Sequence, residues 1–464
     1  MKQIKIMVYS KRKIKRNLII ILFSSIGIYL LMTLYFYNHF FFNTEINGIN
    51  VSLRAHKELA SIISDYINNY ELLLIERNGE KETIKGHDIE MRYNKTTTLS
   101  KSISVKNPFM WINSLFNSRR YYIKDLFDYN NALLDNKINN LKCLNRKIEE
   151  PHNVDFKYID GSYKIVEEIY GNKIKRVHLE NMLNEYIAQG KPVLDLNIMS
   201  CYENPKYTKN SKKTLETLNC LNKYVTTRIS YQFGNVTEQL EGSTIHQWLS
   251  IDDDLEVAIS KEEVLSYVTA LSKKYDTVGI IREFQTSTGK KVELQGGLYG
   301  WKIDRDAEIK EIINHIMQGD IIEKEPIYLQ KAFSREGNEI GNTYVEINIS
   351  KQHLWLYKDG KMIAQGSVVT GNPNRGNATV IGVYMVNYKQ KEASLKGPGY
   401  EAKVTYWMPF FGNIGLHDAS WRYRFGEDIY LRNGTHGCVN APLYLAKIVY
   451  ENVDEGTPII IYKE

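Results

Sequence analysis

Residues Leu18–Tyr37 contain no charged side chain and are mostly apolar. Twenty residues rising ~1.5 Å each cover about 30 Å, the thickness of a bilayer's hydrocarbon core, so the run predicts a membrane-spanning helix. Residues 1–17 before it hold Lys2, Lys5, Lys11, Arg12, Lys13, Lys15 and Arg16 and no acid. Aromatic residues Tyr35, Phe36, Tyr37, Phe40, Phe41 and Phe42 crowd the far end, as at a membrane interface. Positive charge stays inside, which predicts a cytoplasmic N-terminus and an external body. A cleaved signal peptide needs a shorter apolar core and a small-residue cleavage site. Here the run continues into Tyr37-Asn-His-Phe-Phe-Phe42, so the expectation is an uncleaved single-pass anchor.

The same tail explains the charge. Its seven positives exceed the net +6 of the whole chain and leave the remainder at −1. The basic balance therefore gives no support for nucleic-acid binding. At 464 residues, 43% hydrophobic and 25% charged, the chain has the size and composition of two or three globular domains. Four cysteines occur. Outside the membrane Cys201 and Cys220 are free to form a disulfide, which sequence neither requires nor excludes. Cys143 reads as a small buried hydrophobe on a helix.

The predicted organisation is a basic tail (1–17), an anchor (18–42), two α+β domains (43–200 and 201–340) and a mainly β C-terminal domain (341–464). In the first, Thr44–Leu53 and Tyr70–Ile84 read as hairpins, the latter around Asn78-Gly79. Residues 55–70 and Val177–Ala188 read as helices, and 99–149 as mainly helical. Phe156–Val166 reads as a hairpin around Asp160-Gly161. The second has strand-like Thr227–Phe233 and Lys290–Leu294, with helices over Lys261–Lys274 and Ala307–Met317. Both share a rhythm of hairpin then helix, without a strict repeat period. In the third, Tyr344–Ile349, Leu354–Lys358, Met362–Thr370, Val383–Tyr388 and Pro458–Tyr462 read as strands, with a helix over 441–453.

The chemistry concentrates in Thr435-His-Gly-Cys-Val-Asn440. A thiol attacks a carbonyl as the thiolate, and a free Cys titrates near ~8.5, so Cys438 needs activation. The expected helix start at Ala441 would favour the anion through its free N–H groups. His417, nineteen residues before His436, is a candidate base, oriented by the Asp418 side chain or backbone carbonyl. Gly437 leaves room for a substrate carbonyl, and the N–H groups of Gly437 and Cys438 are candidates for an oxyanion hole. Plainer readings stand beside these. A lone Cys or His is commonly a packed residue, Asn440 also reads as the N-cap of the next helix, and Trp407 and Trp421 read as core aromatics. A metal site from His417, His436 and Cys438 lacks a fourth ligand, so neither a metal nor a cofactor is expected.

The run Gly415-Leu-His417, then Thr435-His-Gly-Cys-Val-Asn440, resembles the signature of the L,D-transpeptidase (YkuD) catalytic domain. Tyr406-Trp-Met-Pro-Phe410, His417-Asp-Ala-Ser-Trp421 and Gly456-Thr-Pro458 resemble its Gram-positive members. Thr435 stands where the family usually has Ser, and Thr379-Val-Ile-Gly382 where it has Thr-Pro-x-Gly. Upstream, Thr44-Glu-Ile-Asn-Gly48, Asp160–Glu168 with Gly171-Asn172, and Gly297–Asp304 resemble the peptidoglycan-binding domain that often precedes it.

The resemblance implies a YkuD-like β-sandwich and a specific reaction on peptidoglycan stem peptides. A cysteine attacks the carbonyl of the third stem residue and expels D-Ala, and an amine of a neighbouring stem resolves the thioester into a cross-link. Carried onto this sequence, Cys438 is the nucleophile and His417 the base. His436 and Gly437 shape the oxyanion site, and Tyr406, Trp407, Trp421, Thr435 and Asn440 are expected around the substrate. Carbapenems are expected inhibitors. The alternatives are an L,D-carboxypeptidase, in which water resolves the same intermediate, and a non-catalytic wall-binding protein. A secreted cysteine protease has no signature here.

Overall fold

The computed structural model describes residues 2–94, 107–397 and 400–464. The chain forms two compact units: Met1–Asp155 with Val166–Ser211, and Phe156–Ile165 with Lys212–Glu464.

The first unit begins with the helix Lys2–Phe36, within which Lys13–Tyr35 is long and apolar enough to cross a membrane. Strand Glu71–Ile75 pairs antiparallel with Lys81–Lys85 and parallel with Val193–Asp195. Its alternating Leu72 and Leu74 meet Ile63 of helix Leu59–Asn68, and Leu179, Leu183 and Ile187 of helix Arg176–Gln189. The four-residue spacing of that last trio puts it on one stripe. Burying each such side chain stabilises the fold by about 1.5–3 kcal/mol. Of the expected helical stretch 99–149, residues 99–106 lie outside the described residues. The rest is only partly helical: strands Arg119–Tyr121 and Phe127–Asp128 interrupt the 3-10 helix Pro108–Leu115 and the helices Asn131–Asn139 and Lys142–Asn145. Cys143 is buried on the last of these. Cys201 and Cys220 are free thiols, so no disulfide closes the loop between them.

The shared rhythm is a structural repeat. Ile169-Tyr-Gly-Asn-Lys-Ile-Lys-Arg176 corresponds to Leu298-Tyr-Gly-Trp-Lys-Ile-Asp-Arg305. Each leads into a 14-residue helix, Arg176–Gln189 or Arg305–Gln318, closed by a left-handed glycine, Gly190 or Gly319. A strand then returns parallel to the first strand of a hairpin: Val193–Asp195 on Glu71–Ile75, and Ile321–Lys324 on Arg228–Phe233. Insertions of unequal length between hairpin and helix hide the period from a sequence scan.

In the second unit the C-terminal domain is a two-sheet sandwich. Its five-stranded sheet runs Lys361–Ser367, His353–Lys358, Tyr344–Asn348, Pro458–Tyr462, Gly382–Met385. Its four-stranded sheet runs Gln390–Gly397, Tyr400–Phe411, Ile414–Asp418, Val439–Ala441. Between them Val345, Ile347, Leu354, Leu356, Met408, Phe410, Leu416 and Val439 form the core with Leu445 and Val449 of helix Leu443–Asn452. The hairpin Arg282–Gln285/Lys291–Leu294 packs on the other face of the larger sheet, where Phe284, Leu294, Tyr299 and Trp301 meet Val383, Ile460 and Tyr462. The backbones cross at Gly297 and Gly382. A Cβ on Gly297, at φ +92°, would lie 2.0 Å from the Val383 carbonyl oxygen, so only glycine allows this approach.

Candidate active site

The smaller sheet sets the site by its register. Trp407 pairs with His417, and His417 with Asn440. Leu416 pairs in parallel with Val439, so the next residue back, Cys438, falls beside Gly415. Side chains alternate along each strand: Leu416, Val439 and Met408 enter the core, while His417, Cys438 and Trp407 face the other way. There they line a cavity of about 740 Å³.

His417 is 4% exposed, and its Nδ1 lies 2.8 Å from the Asp418 backbone carbonyl oxygen. A carbonyl only accepts, so the proton sits on Nδ1 and Nε2 carries the lone pair. Burial lowers the His417 pKa; the hydrogen bond and charge of Asp418 oppose it and nearby Arg422 adds to it. The ring is therefore neutral near pH 7. Of the two orienting groups that the sequence left open, the backbone carbonyl does the work. The Asp418 carboxylate accepts instead from the N–H groups of Thr405 and Tyr406, at 2.8 and 2.7 Å, and pins the neighbouring strand.

Cys438 is partly buried against Trp407, with Sγ 3.8 Å from the Asn413 carbonyl oxygen. Burial pushes the thiol up, and a backbone hydrogen bond at Gly415 pulls it back. The expected helix-start activation is absent. Residues Val439–Ala441 form a strand, and the helix begins only at Leu443. Three strand residues interpose about 10 Å, beyond the first turn over which a helix terminus acts. Asn440 is not a helix cap either. Its backbone exchanges two 2.9 Å hydrogen bonds with Val369 across an isolated antiparallel bridge, and its buried side chain lines the cavity.

The loop before Cys438 is held by two threonines. Thr435 Oγ1 donates to the Cys438 carbonyl at 2.6 Å and accepts from the Gly437 N–H at 3.1 Å. Thr379 Oγ1 accepts from the Gly371 N–H and donates to the Gly437 carbonyl, both at 2.8 Å. Gly437 has φ +120°, a backbone conformation that strains any residue with a Cβ, so glycine is required there. Its N–H is taken by Thr435, which removes it from the expected oxyanion pair.

The cavity gathers Cys438, His417, Trp407, Trp421 and Thr435, as well as His436 and Asn440. Tyr406 lies elsewhere. One residue from Trp407, it faces the opposite side and packs on Tyr450 of the last helix, ring centroids 5.1 Å apart. The strand's period of two rules it out as a groove residue. The sequence reading named Thr379 only within a signature element and missed its role, which depends on a fold-back contact, and it missed Arg422. Arg422 lines the cavity, its Nε is buried without a partner, and among the described residues no carboxylate pairs with it.

Residues 342–461 match the family model of the L,D-transpeptidase catalytic domain. Residues 82–195 and 212–321, one in each repeat, match the family described as "Putative peptidoglycan binding domain". A cysteine-to-serine mutant of the Enterococcus faecium L,D-transpeptidase is 32% identical over 53% of this chain and 100% of its own, with TM-score 0.42. The chain belongs to the L,D-transpeptidase family. The isolated E. faecium catalytic domain acylated by ertapenem is 37% identical over 26% of this transpeptidase and 98% of its own length, with TM-score 0.25. An L,D-transpeptidase from Mycobacterium tuberculosis is 23% identical over 26% of this chain and 57% of its own, with TM-score 0.23. No curated protein matches the chain. The transpeptidase is an enzyme of the cell wall that acts on peptidoglycan.

Proposed function

We propose that this transpeptidase cross-links stem peptides through a thioester on Cys438, in a catalytic domain spanning 341–464. The observation that carries this reading is the fixed tautomer of His417: Nδ1–H is committed to Asp418, which leaves Nε2 as a base in the cavity shared with Cys438. Its lowered pKa keeps it unprotonated, and the raised thiol pKa makes a base necessary.

His417 Nε2 takes the Cys438 proton as Sγ attacks the carbonyl of the third stem residue. The tetrahedral intermediate collapses as His417 returns the proton to the departing D-Ala amine, leaving the thioester. An acceptor amine then attacks, gives its surplus proton to His417, and Cys438 leaves to be reprotonated. With the Gly437 N–H engaged, we assign the Cys438 N–H as the main oxyanion donor, in a turn shaped by His436 and Gly437. Trp407, Trp421 and Asn440 line the groove, and Thr435 holds its floor. Arg422, charged and lacking an internal carboxylate partner, reads a carboxylate of the stem. The apolar helix holds the enzyme in the membrane with its N-terminus in the cytoplasm. The two α+β domains, 43–200 and 201–340, face the wall polymer.

Purified tetrapeptide muropeptides incubated with the enzyme should yield cross-linked dimers and free D-Ala, and Cys438→Ala should yield neither. Tripeptides without dimers would mean that water resolves the thioester and would convert the reading to a carboxypeptidase. Meropenem should add its mass to the protein at Cys438; an unchanged intact mass would count against the nucleophile assignment.

A further inference from the structure

The apolar helix has a companion near its outer end. The 3-10 segment Pro108–Leu115 lies along it: the Tyr29 hydroxyl donates to the Phe109 carbonyl at 2.9 Å, and the Tyr29 ring sits 6.0 Å from Trp111. Trp111 also stacks on Phe36 at 5.9 Å, and the two form a buried cluster with Phe41. The rest of the segment is largely bare: Phe109, whose ring lies 6.2 Å from Tyr29, and Met110, Ile112, Leu115 and Phe116 are 51, 52, 44, 44 and 83% exposed. Residues 107–118 carry no charge at all.

Depth decides what this surface meets. Tyr29 precedes Phe36 by seven residues, ~10 Å along the helix axis. A segment touching Tyr29 therefore lies about 10 Å back along the apolar run, beside the exposed Leu30, Leu31 and Leu34. The two elements make one continuous apolar surface. Arg119 follows at its border, its guanidinium 4.6 Å over the Phe41 ring, and Arg120 pairs with Glu45. An aromatic and aliphatic face with cations at its edge is the composition of an interfacial membrane element.

We propose that Pro108–Phe116 is a second membrane contact, embedding Phe109, Met110, Ile112, Leu115 and Phe116 in the outer leaflet beside the anchor. The inference rests on the reading of Lys13–Tyr35 as a membrane span. Two attachments in place of one hinge fix the orientation of the first α+β domain against the bilayer, and a single flexible tether would not.

The test uses the full chain carrying Cys220→Ser and Cys438→Ala in phosphatidylglycerol/phosphatidylethanolamine vesicles, with or without acyl-brominated lipid. An environment-sensitive fluorophore is placed through Ile112→Cys, Phe116→Cys, Leu31→Cys as the anchor reference, or Ile198→Cys as an exposed reference in the same unit. Ile112 and Phe116 reporters should lose about half of their emission to brominated lipid, as the Leu31 reporter does, while Ile198 stays bright. Quenching at Leu31 with Ile112 and Phe116 as bright as Ile198 overturns the second contact and leaves the anchor standing. An unquenched Leu31 removes the anchor and the inference together. Ready disulfide cross-linking of unlabelled Phe116→Cys between copies would make the patch a self-association face and overturn the lipid assignment.

Discussion

The two sheets of the catalytic domain share one core and treat their outer faces oppositely. On the five-stranded sheet, Glu346 is fully buried, yet its carboxylate accepts from the Ser287 N–H at 2.9 Å, the Ser287 hydroxyl at 2.6 Å and the Tyr462 hydroxyl at 2.6 Å. The hairpin Arg282–Leu294 seals that face. On the four-stranded sheet, His417 is nearly as buried but, among the described residues, engages only one ring nitrogen, and Cys438 has a 3.8 Å contact to the Asn413 carbonyl and a backbone hydrogen bond at Gly415. Buried polar groups are normally all paired. On the side with the cavity, the groups left available to a substrate are a base and a nucleophile.

The comparison can be broken most severely at Cys438. Cys438→Ala should lower cross-linking by about 10⁴-fold or more while leaving the thermal melt of the sealed face unchanged. His417→Ala should cost about 10²- to 10⁴-fold, read as the rate of meropenem acylation by intact mass. In the intact enzyme the acidic limb of kcat/KM should fall below the ordinary histidine value of about 6.5, since burial lowers the His417 pKa and the base is lost only as pH drops through it. A limb above that value would show that His417 is not the titrating base.

On the sealed face, Phe284→Ala should destabilise the protein by about 3–5 kcal/mol in urea unfolding, with acylation of the still-folded fraction preserved. Thr379→Val strands the Gly371 N–H and the Gly437 carbonyl at a cost of about 1–3 kcal/mol, and should slow acylation as well because the Cys438 loop loosens. The smallest effect is expected at Arg422. Arg422→Ala should raise KM for a tetrapeptide about tenfold with kcat nearly kept, a loss of the size expected for one charged hydrogen bond. An unchanged KM would remove Arg422 from recognition.

Much of this was legible in advance because it depends on local pattern. The charge-free run over Leu18–Tyr37, the Asp160-Gly161 turn between strands Asp155–Ile159 and Ser162–Val166, and the spacing of His417 and Cys438 all act over a few residues or through a signature. The failures share a cause as well. Ala441-Pro442-Leu443 has the chemistry of a helix start, but Val439–Ala441 is claimed first by parallel pairing with Leu416–Asp418, a contact about twenty residues distant in sequence. Tyr406 and Trp407 are both aromatic neighbours, and only the pleat against a specific core decides which one sees the cavity. The repeat escaped because insertions break its period while its three-dimensional register survives.

By itself, then, the sequence determined that this chain carries an apolar run long enough to span a bilayer, a signature cysteine and histidine, and elements enough for several domains. These follow from side-chain chemistry, length and spacing. Tertiary structure decided which group orients His417, that Gly437 donates to Thr435, and that Arg422 joins the cavity. It also decided that the Phe109–Phe116 face lies along the apolar helix. Each of these depends on hydrogen bonds or burial between segments far apart in the chain, whose geometry exists only once the strands and helices have packed.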